Sequence, residues 1–211
     1  MAGQVDERNA AALSGWLALV ILLALAGAVA WSIAAPAMQQ HGQVSPLPIL
    51  LMPVLAFLAK GFCILEPNHA AVMVFFGKYA GTLRDDGFFW VNPFYAKHKV
   101  SLRARNLNTP TLKVNDRAGN PIEVAAVIVW RVLDTARATF DVENYHDFVA
   151  MQSESAVRQV ASARYYDGDE SGHESLRGDL EAVSRLLMEG IQAHCELAGL
   201  EILEARISHL A

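Results

Sequence analysis

From Asn9 to Ala59 the chain has no Asp, Glu, Lys or Arg. A solvated surface cannot be made from such a stretch, so it belongs in a bilayer or deep in a core. Basic clusters are missing as well: the net charge is -5, with no stretch of Lys and Arg forming a face, which excludes a nucleic-acid partner. Cysteine is scarce. Cys63 and Cys195 are the only two, far apart, outside any CxxC and without His at ligand spacing, which argues against a disulfide framework or a zinc site. Cys63 directly follows the apolar region, where it reads either as a site of reversible acylation or as a small buried hydrophobe.

Motifs of catalysis are absent too. No P-loop, GxSxG, HExxH or EF-hand pattern occurs. Asp85 and Asp86 are adjacent and so point to different sides of an extended chain, which suits a solvated turn better than a metal pair. His69, His98, His146, His173, His194 and His209 share no ligand spacing. Ser153, in "SESAVR", has no identifiable activating base and reads as ordinary helix surface. No catalytic residue, cofactor or metal is therefore assigned.

What is present begins with two apolar runs. Leu13 to Met38 exceeds the roughly 20 residues that cross a bilayer as a helix. Trp16 and Trp31 stand about 22 Å apart at helical rise, as aromatic anchors at two interfaces would. A cleaved signal peptide is the competing reading. The flank "MAGQVDER" lacks the positive charge of such a peptide, and the run is too long for its apolar region. The second run, within residues 46–65, has only thirteen residues from Leu47 before Lys60. Extended as a helix to Leu65 it becomes long enough to span, with Lys60 snorkelling to the headgroups. A re-entrant wedge broken at Pro53 is the alternative. The connector "QQHGQVS" carries no Lys or Arg, whereas Lys60, Lys78, Arg84, Lys97 and Lys99 follow the second run. The positive-inside rule then places the tail 1–12 and the remainder 66–211 in the cytoplasm, joined by a transmembrane hairpin over 13–65.

Beyond Lys60 the pattern is globular. Val72, Val74 and Phe76 alternate onto one face of a first strand, and Phe88 to Val91 form another that Pro93 ends. Ile122 to Val132 is apolar on both faces except near its ends, which predicts a central strand. "DTARATF" predicts a short helix. "NYHDFVAMQSESAVRQVASARYY" predicts a longer one, with Phe148, Met151, Ser155 and Ala156 near one face. A third opens with a capping box from Ser171 to Glu174 and carries Leu176, Leu180, Val183, Leu187, Ile191 and His194 until Gly199. Leu203, Ala205 and Ile207 then share one face of a closing strand. Strands, then helices, then a strand make a compact α+β domain.

Here a resemblance becomes specific. "ILEPNHAAVMVFFGKYAGTLRDDGFFWVNPF", then "LKVNDRAGNPIEVAAVIVWRVLD" and a helix ending in "RYYDG", resemble the SPFH (band 7) family of stomatin, prohibitin, flotillin and HflK/C, from about Ile64 to Ser208. "DDG" stands where the family commonly has proline and glycine. The chain ends at "ISHLA", where relatives continue into a coiled coil. The resemblance implies an SPFH domain of small mixed or antiparallel sheet with packed helices, in a bacterial stomatin-like, multi-pass protein of the cell membrane. It also implies self-assembly into large homo-oligomeric rings or cages that organise lipid microdomains or regulate an AAA-type membrane protease. "GFFWVNPF" matches the family's membrane-proximal strand. Phe88 and Trp90 alternate against Phe89, so that Phe88, Phe89, Trp90, Phe94 and Tyr95, with Lys60 and Cys63, are candidates for the core and for lipid contact. Two rival classes remain: a small membrane enzyme or protease subunit, which needs a nucleophile and base converging in a pocket, and a channel, which needs intramembrane charge.

Overall fold

The computed structural model describes residues 7–38, 47–167 and 175–211. The chain divides into two compact units, Arg8–Val100 and a second comprising Met1–Glu7 with Ser101–Ala211.

The first unit holds both apolar runs. A two-residue strand β1 (Leu13–Ser14) leads into helix α1 (Gly15–Met38), and the chain resumes as helix α2 (Leu47–Ala59). Three residues after α2 ends at Ala59 the chain is already extended. Phe62–Leu65 is strand β2, which corrects the expectation that the second helix runs to Leu65. Gly61 ends the helix, and the aromatic and β-branched sequence "FCIL" pairs with β5 (Gly87–Trp90) through Phe62↔Trp90 and Cys63↔Phe89. On the other edge of β5 lies β1, with Leu13↔Trp90 and Ser14↔Phe89. The segment that enters α1 and the segment that leaves α2 thus flank the same strand.

A second sheet of this unit has the order β4-β3-β6, from β3 (His69–Phe75), β4 (Lys78–Leu83) and β6 (Tyr95–Ser101). Val72 is buried on β3 as expected, but Phe76 is not on the strand. Phe75 pairs with Lys78, so Phe76 and Gly77 form a two-residue hairpin turn, both at positive φ (45° and 83°). The N-terminal segment adds to the free edge of β4. Ala10 N donates to Thr82 O (2.9 Å), Thr82 N donates to Arg8 O (2.7 Å), and the Tyr79 hydroxyl accepts from Arg8 N (3.2 Å). Gly81 makes room for this. A Cβ there would stand 2.9 Å from the backbone of Ala10. Cys63, Leu65, Ala71, Met73, Leu83 and Val91 form the buried core beneath.

The second unit is a sheet backed by helices. Its centre is β9 (Pro121–Val132), flanked on one side by β10 (Leu200–Leu210) and on the other by β7 (Arg105–Asn108) and β8 (Leu112–Asn115), all antiparallel. The two-faced apolar sequence of β9 fits this central place. A bulge between Ile202 and Glu204 shifts the phase of β10. Ile202 and Ala205 are therefore buried while Leu203 is exposed, correcting the simple alternation expected there.

Helix α3 (Thr135–Phe140) is capped by Asp134, whose side chain accepts from Arg137 N. Helix α4 (Tyr145–Ala163) is capped by Asn144, which accepts from His146 N and Asp147 N. Its buried stripe is Val149, Ser153, Ala156, Val157 and Ala161, so Ala156 is correct, but Met151 and Ser155 face solvent. Small residues win this face because it lies against helix α5 (Leu180–Cys195), where Gly190 approaches Ala156. The expected capping box, Ser171 to Glu174, lies outside the described residues. α5 itself begins after the turn at Gly178, with Asp179 as its cap, accepting from Ala182 N. Val183, Leu187 and Ile191 are buried as the spacing requires. His194 is exposed, and the next buried position is Cys195, whose thiol burial pushes up to about 11.

Asp116 staples this unit. Its carboxylate accepts from Asn120 N (2.7 Å), Asn120 Nδ2 (3.2 Å) and Tyr166 N (3.2 Å), tying the β8–β9 turn to the chain after α4. Burial opposes its ionisation, but these donors, with the N–H of Ala118, outweigh that and hold the carboxyl below its ordinary value. A lowered native value stabilises the fold above the unfolded carboxylate range, and that stability is lost as the pH falls through the native value. Asp116→Asn is expected to lower the thermal midpoint at pH 7. The gap from wild type should narrow as the pH is taken below about 4. Melting curves of the two chains in one detergent, from pH 7 downward, check this.

Candidate functional site at the base of the apolar helices

The candidate residues converge on the last turn of α2 and on β5. Two side chains tie the end of α2, the turn after it and the start of β2 to the strands beside them. Trp90 Nε1 donates to Leu58 O (3.0 Å), and Lys97 Nζ donates to both Lys60 O and Phe62 O (2.8 Å each). The ammonium also sits where the helix dipole is negative. Partial burial pushes the Lys97 amine below its ordinary value, with Cys63 opposing the shift and Lys60 and Lys99 adding to it. Gly61 lies under the indole, where a Cβ would fall 2.5 Å from Trp90 Nε1.

The aromatic strand divides as alternation requires. Phe88 stacks on Phe62 (centroids 5.1 Å) and meets the edge of Trp16 (5.4 Å) at the start of α1. Trp90 lines a small apolar cavity of about 200 Å³ with Leu17, Ile21 and Leu25 of α1 and Leu58 of α2. Phe89 faces the other way and packs on the buried core, as does Tyr95. Phe94 is exposed and touches Phe57 of α2 (4.8 Å). Cys63 is buried in β2, and Lys60 is exposed just past α2. Trp16 and Trp31 are exposed on α1. The junction therefore gathers Lys60, Cys63, Phe88, Trp90 and Trp16, while Trp31 lies further along α1, away from it.

Sequence reasoning missed Lys97 as the donor that joins the turn after α2 to β2, and the pairing of the segment Arg8–Ser14. Neither has a side-chain signature. Lys97 reads as one charge among several, and the N-terminal pairing uses backbone groups that any sequence carries. Asp85 and Asp86 are exposed ahead of β5, where a solvated turn was expected. Ser153 is fully buried on α4, which corrects its reading as helix surface.

This pair of hydrogen bonds has a measurable weight. Lys97→Met removes a charged donor from two carbonyls and is expected to cost about 1–2 kcal/mol, since part of the site reaches solvent. Lys99→Met, on an exposed neighbour in the same strand, is expected to change little. Thermal unfolding of the detergent-solubilised chains, followed by tryptophan fluorescence, compares them.

Residues 63–210 match the model of the SPFH domain / Band 7 family. The chain belongs to this family. Similar proteins include a stomatin homolog of Pyrococcus horikoshii, 29% identical over 136 residues that cover 64% of this chain and 51% of the relative. A stomatin homolog of Pyrococcus abyssi is likewise 29% identical, over 64% of this chain and 50% of the relative. An uncharacterized protein of Methanothermobacter thermautotrophicus is 26% identical over 64% of this chain and 42% of its own length. The chain thus spans about half the length of the stomatin homologs it matches. Membership of the SPFH family supports a scaffold role in general. The match begins at Cys63, so α1 and α2 precede the family's domain, and α1 is long and apolar enough to cross a membrane over Gly15–Ala35. Together these point to membrane association.

Proposed function

We propose that this SPFH protein is a non-enzymatic scaffold held to the cell membrane by a helical hairpin, self-assembling into rings or cages that organise lipid and enclose or regulate membrane partners such as an AAA-type protease. The observation that carries the anchoring is the sheet β1-β5-β2, in which the strand entering α1 and the strand leaving α2 flank one strand of the domain. Such pairing supports a hairpin whose two ends lie on one face of the bilayer. Lys60, Lys97 and Lys99 follow the pair, and none of their kind occurs in the connector, which favours the cytoplasmic face. Thirteen residues of α2 supply about 20 Å against a core of about 30 Å, so the return limb is short and thins the bilayer or stays within it. Either form keeps the N-terminus beside the domain. Phe88, Trp90, Phe94 and Lys60 then stand at headgroup level, while Phe89 and Tyr95 remain in the core. The assembly rests on family analogy, in which identical domains packed side by side make a heterologous contact that closes on itself.

Cross-linking in intact membranes tests the assembly with the chain in place. A ladder of copies well beyond dimer is expected, unchanged when the membranes are diluted with lipid. A band that stays monomeric, or becomes so on dilution, contradicts it.

A further inference from the structure

One cluster of rings and a guanidinium holds the start of α4 to the sheet. Arg105 belongs to β7, Trp130 to β9, and Tyr145 and His146 are the first two residues of α4. His146 stands edge-on to Trp130 (centroids 5.1 Å) and tilted against Tyr145 (4.7 Å). The Arg105 guanidinium lies over both Trp130 (5.9 Å) and Tyr145 (6.0 Å), and its Nη1 donates to His146 Nε2. A guanidinium has donors only. The hydrogen bond therefore exists solely while Nε2 is bare and the ring neutral, with its proton on Nδ1.

The surroundings disfavour an imidazolium. Arg105 faces the ring directly, and the first turn of α4 presents the positive end of the helix dipole. Asp147 is the opposing charge, but its carboxylate is engaged by Asn144 Nδ2 (2.7 Å). The Tyr145 phenol and the uncharged Trp130 indole complete the ring's neighbours. Partial burial and then Arg105 hold the imidazole below its ordinary value, with Asp147 working against them. His146 still keeps part of its surface open to water, so a proton can reach it. Further along, α4 is fixed by the buried Val149, Ser153, Ala156, Val157 and Ala161, none of which titrates.

We infer that the first turn of α4 is an acid-released latch: when His146 takes a proton from water, its hydrogen bond from Arg105 is lost, two cations face each other, and the turn lifts from Trp130 while the rest of the helix stays packed. A native value below the unfolded one means that the closed turn binds fewer protons than the open one. The latch is thus fully closed above the ordinary histidine range and loosens as the pH falls below about 6.5. One linked proton sets a ceiling of about tenfold in the opening constant per pH unit. Glu143, Asn144, Asp147 and Phe148 line an open surface groove at this turn, so the shape of that surface follows the proton concentration.

Hydrogen exchange of the full chain in detergent, read by mass spectrometry, tests the latch on either side of the histidine range, at about pH 7.5 and about pH 5.5. Rates are corrected for the intrinsic effect of pH. The reporters are the amides of His146 and Asp147, which donate to Asn144 Oδ1, and that of Phe148, which donates to Asn144 O. In wild type a several-fold loss of protection is expected at these amides at the lower pH, with β9 and α5 unchanged. His146→Gln keeps an acceptor for Arg105 and cannot be charged, so its protection is expected to be equal at both pH values. Arg105→Gln removes the facing cation and is expected to show a smaller loss than wild type. Equal protection of the wild-type turn at both pH values overturns the latch, as does an undiminished loss in the His146→Gln chain. Loss spread over β9 and α5 identifies general acid unfolding and overturns it too.

Discussion

Replacing Leu23 and Leu25 by Arg should release the chain from the membrane. Both lie mid-helix in α1, exposed on its surface, so in a bilayer they face lipid. Each exchange trades a residue that favours the bilayer centre by about 0.5 kcal/mol for one that disfavours it by about 3 kcal/mol on the insertion scale. Two such changes cost roughly 7 kcal/mol, more than enough to reverse a partition that α1 dominates. In alkaline carbonate extraction the wild-type chain is expected in the pellet and the Leu23→Arg/Leu25→Arg chain mostly in the supernatant or in aggregates. Retention of the double variant would mean that α2 and the junction aromatics suffice. Leu23→Ala/Leu25→Ala, which keeps the helix apolar, is expected to stay in the pellet.

The second large effect concerns the other unit. Trp130 is 2% exposed and is the largest fully buried side chain among the described residues. It sits on the central strand, with Ile202 opposite on β10 and Arg105 opposite on β7. Tyr145 (centroids 6.0 Å) and His146 (5.1 Å) of α4 pack edge-on against its ring, and the Arg105 guanidinium lies 5.9 Å from the ring centre. One side chain thus joins three strands to the start of a helix. Trp130→Ala is expected to cost about 3–5 kcal/mol, a large share of the roughly 5–15 kcal/mol that a domain has. For a unit of this size that is a fall in the thermal midpoint of roughly 10 °C or more. Trp130→Phe, which keeps a ring, is expected to lose much less. Calorimetry of the detergent-solubilised chain measures both, and a loss under about 1 kcal/mol for the alanine variant would show that the site collapses around the gap.

How much of this was legible in the sequence depends on whether side chains or backbone carry the information. β9 was legible because an unbroken apolar run with Glu123 and Arg131 at its ends has few places to go except the centre of a sheet. The helices α3 and α4 were legible as helices, but the sequence reading counted Asp134 and Asn144 within them, where the structure makes them the caps. Phe62–Leu65 misled because an apolar run of four residues does not distinguish the end of a helix from a strand. The decision came from Gly61 and from the partner strand β5, which lies more than twenty residues away. Leu203 misled because a bulge moves the period by one residue without any local mark. The face of α4 was set by close approach to α5, which favours Ser153 and Ala156 over the larger Met151.

The junction shows the same division. Aromatic alternation in "GFFWVNPF" correctly separated Phe89 from Phe88 and Trp90. Lys97 and the N-terminal pairing at Thr82 were invisible because each answers a need of the backbone, the carbonyls of Lys60 and Phe62 after α2 in one case and the open edge of β4 in the other.

The central claim is that the chain is a membrane scaffold of many copies. Its most direct test is the particle mass of the chain after extraction from membranes in a mild detergent, measured on single particles at nanomolar concentration. The account predicts a discrete species of many copies, each of 23.0 kDa, that persists on dilution. A monomer or dimer would contradict it.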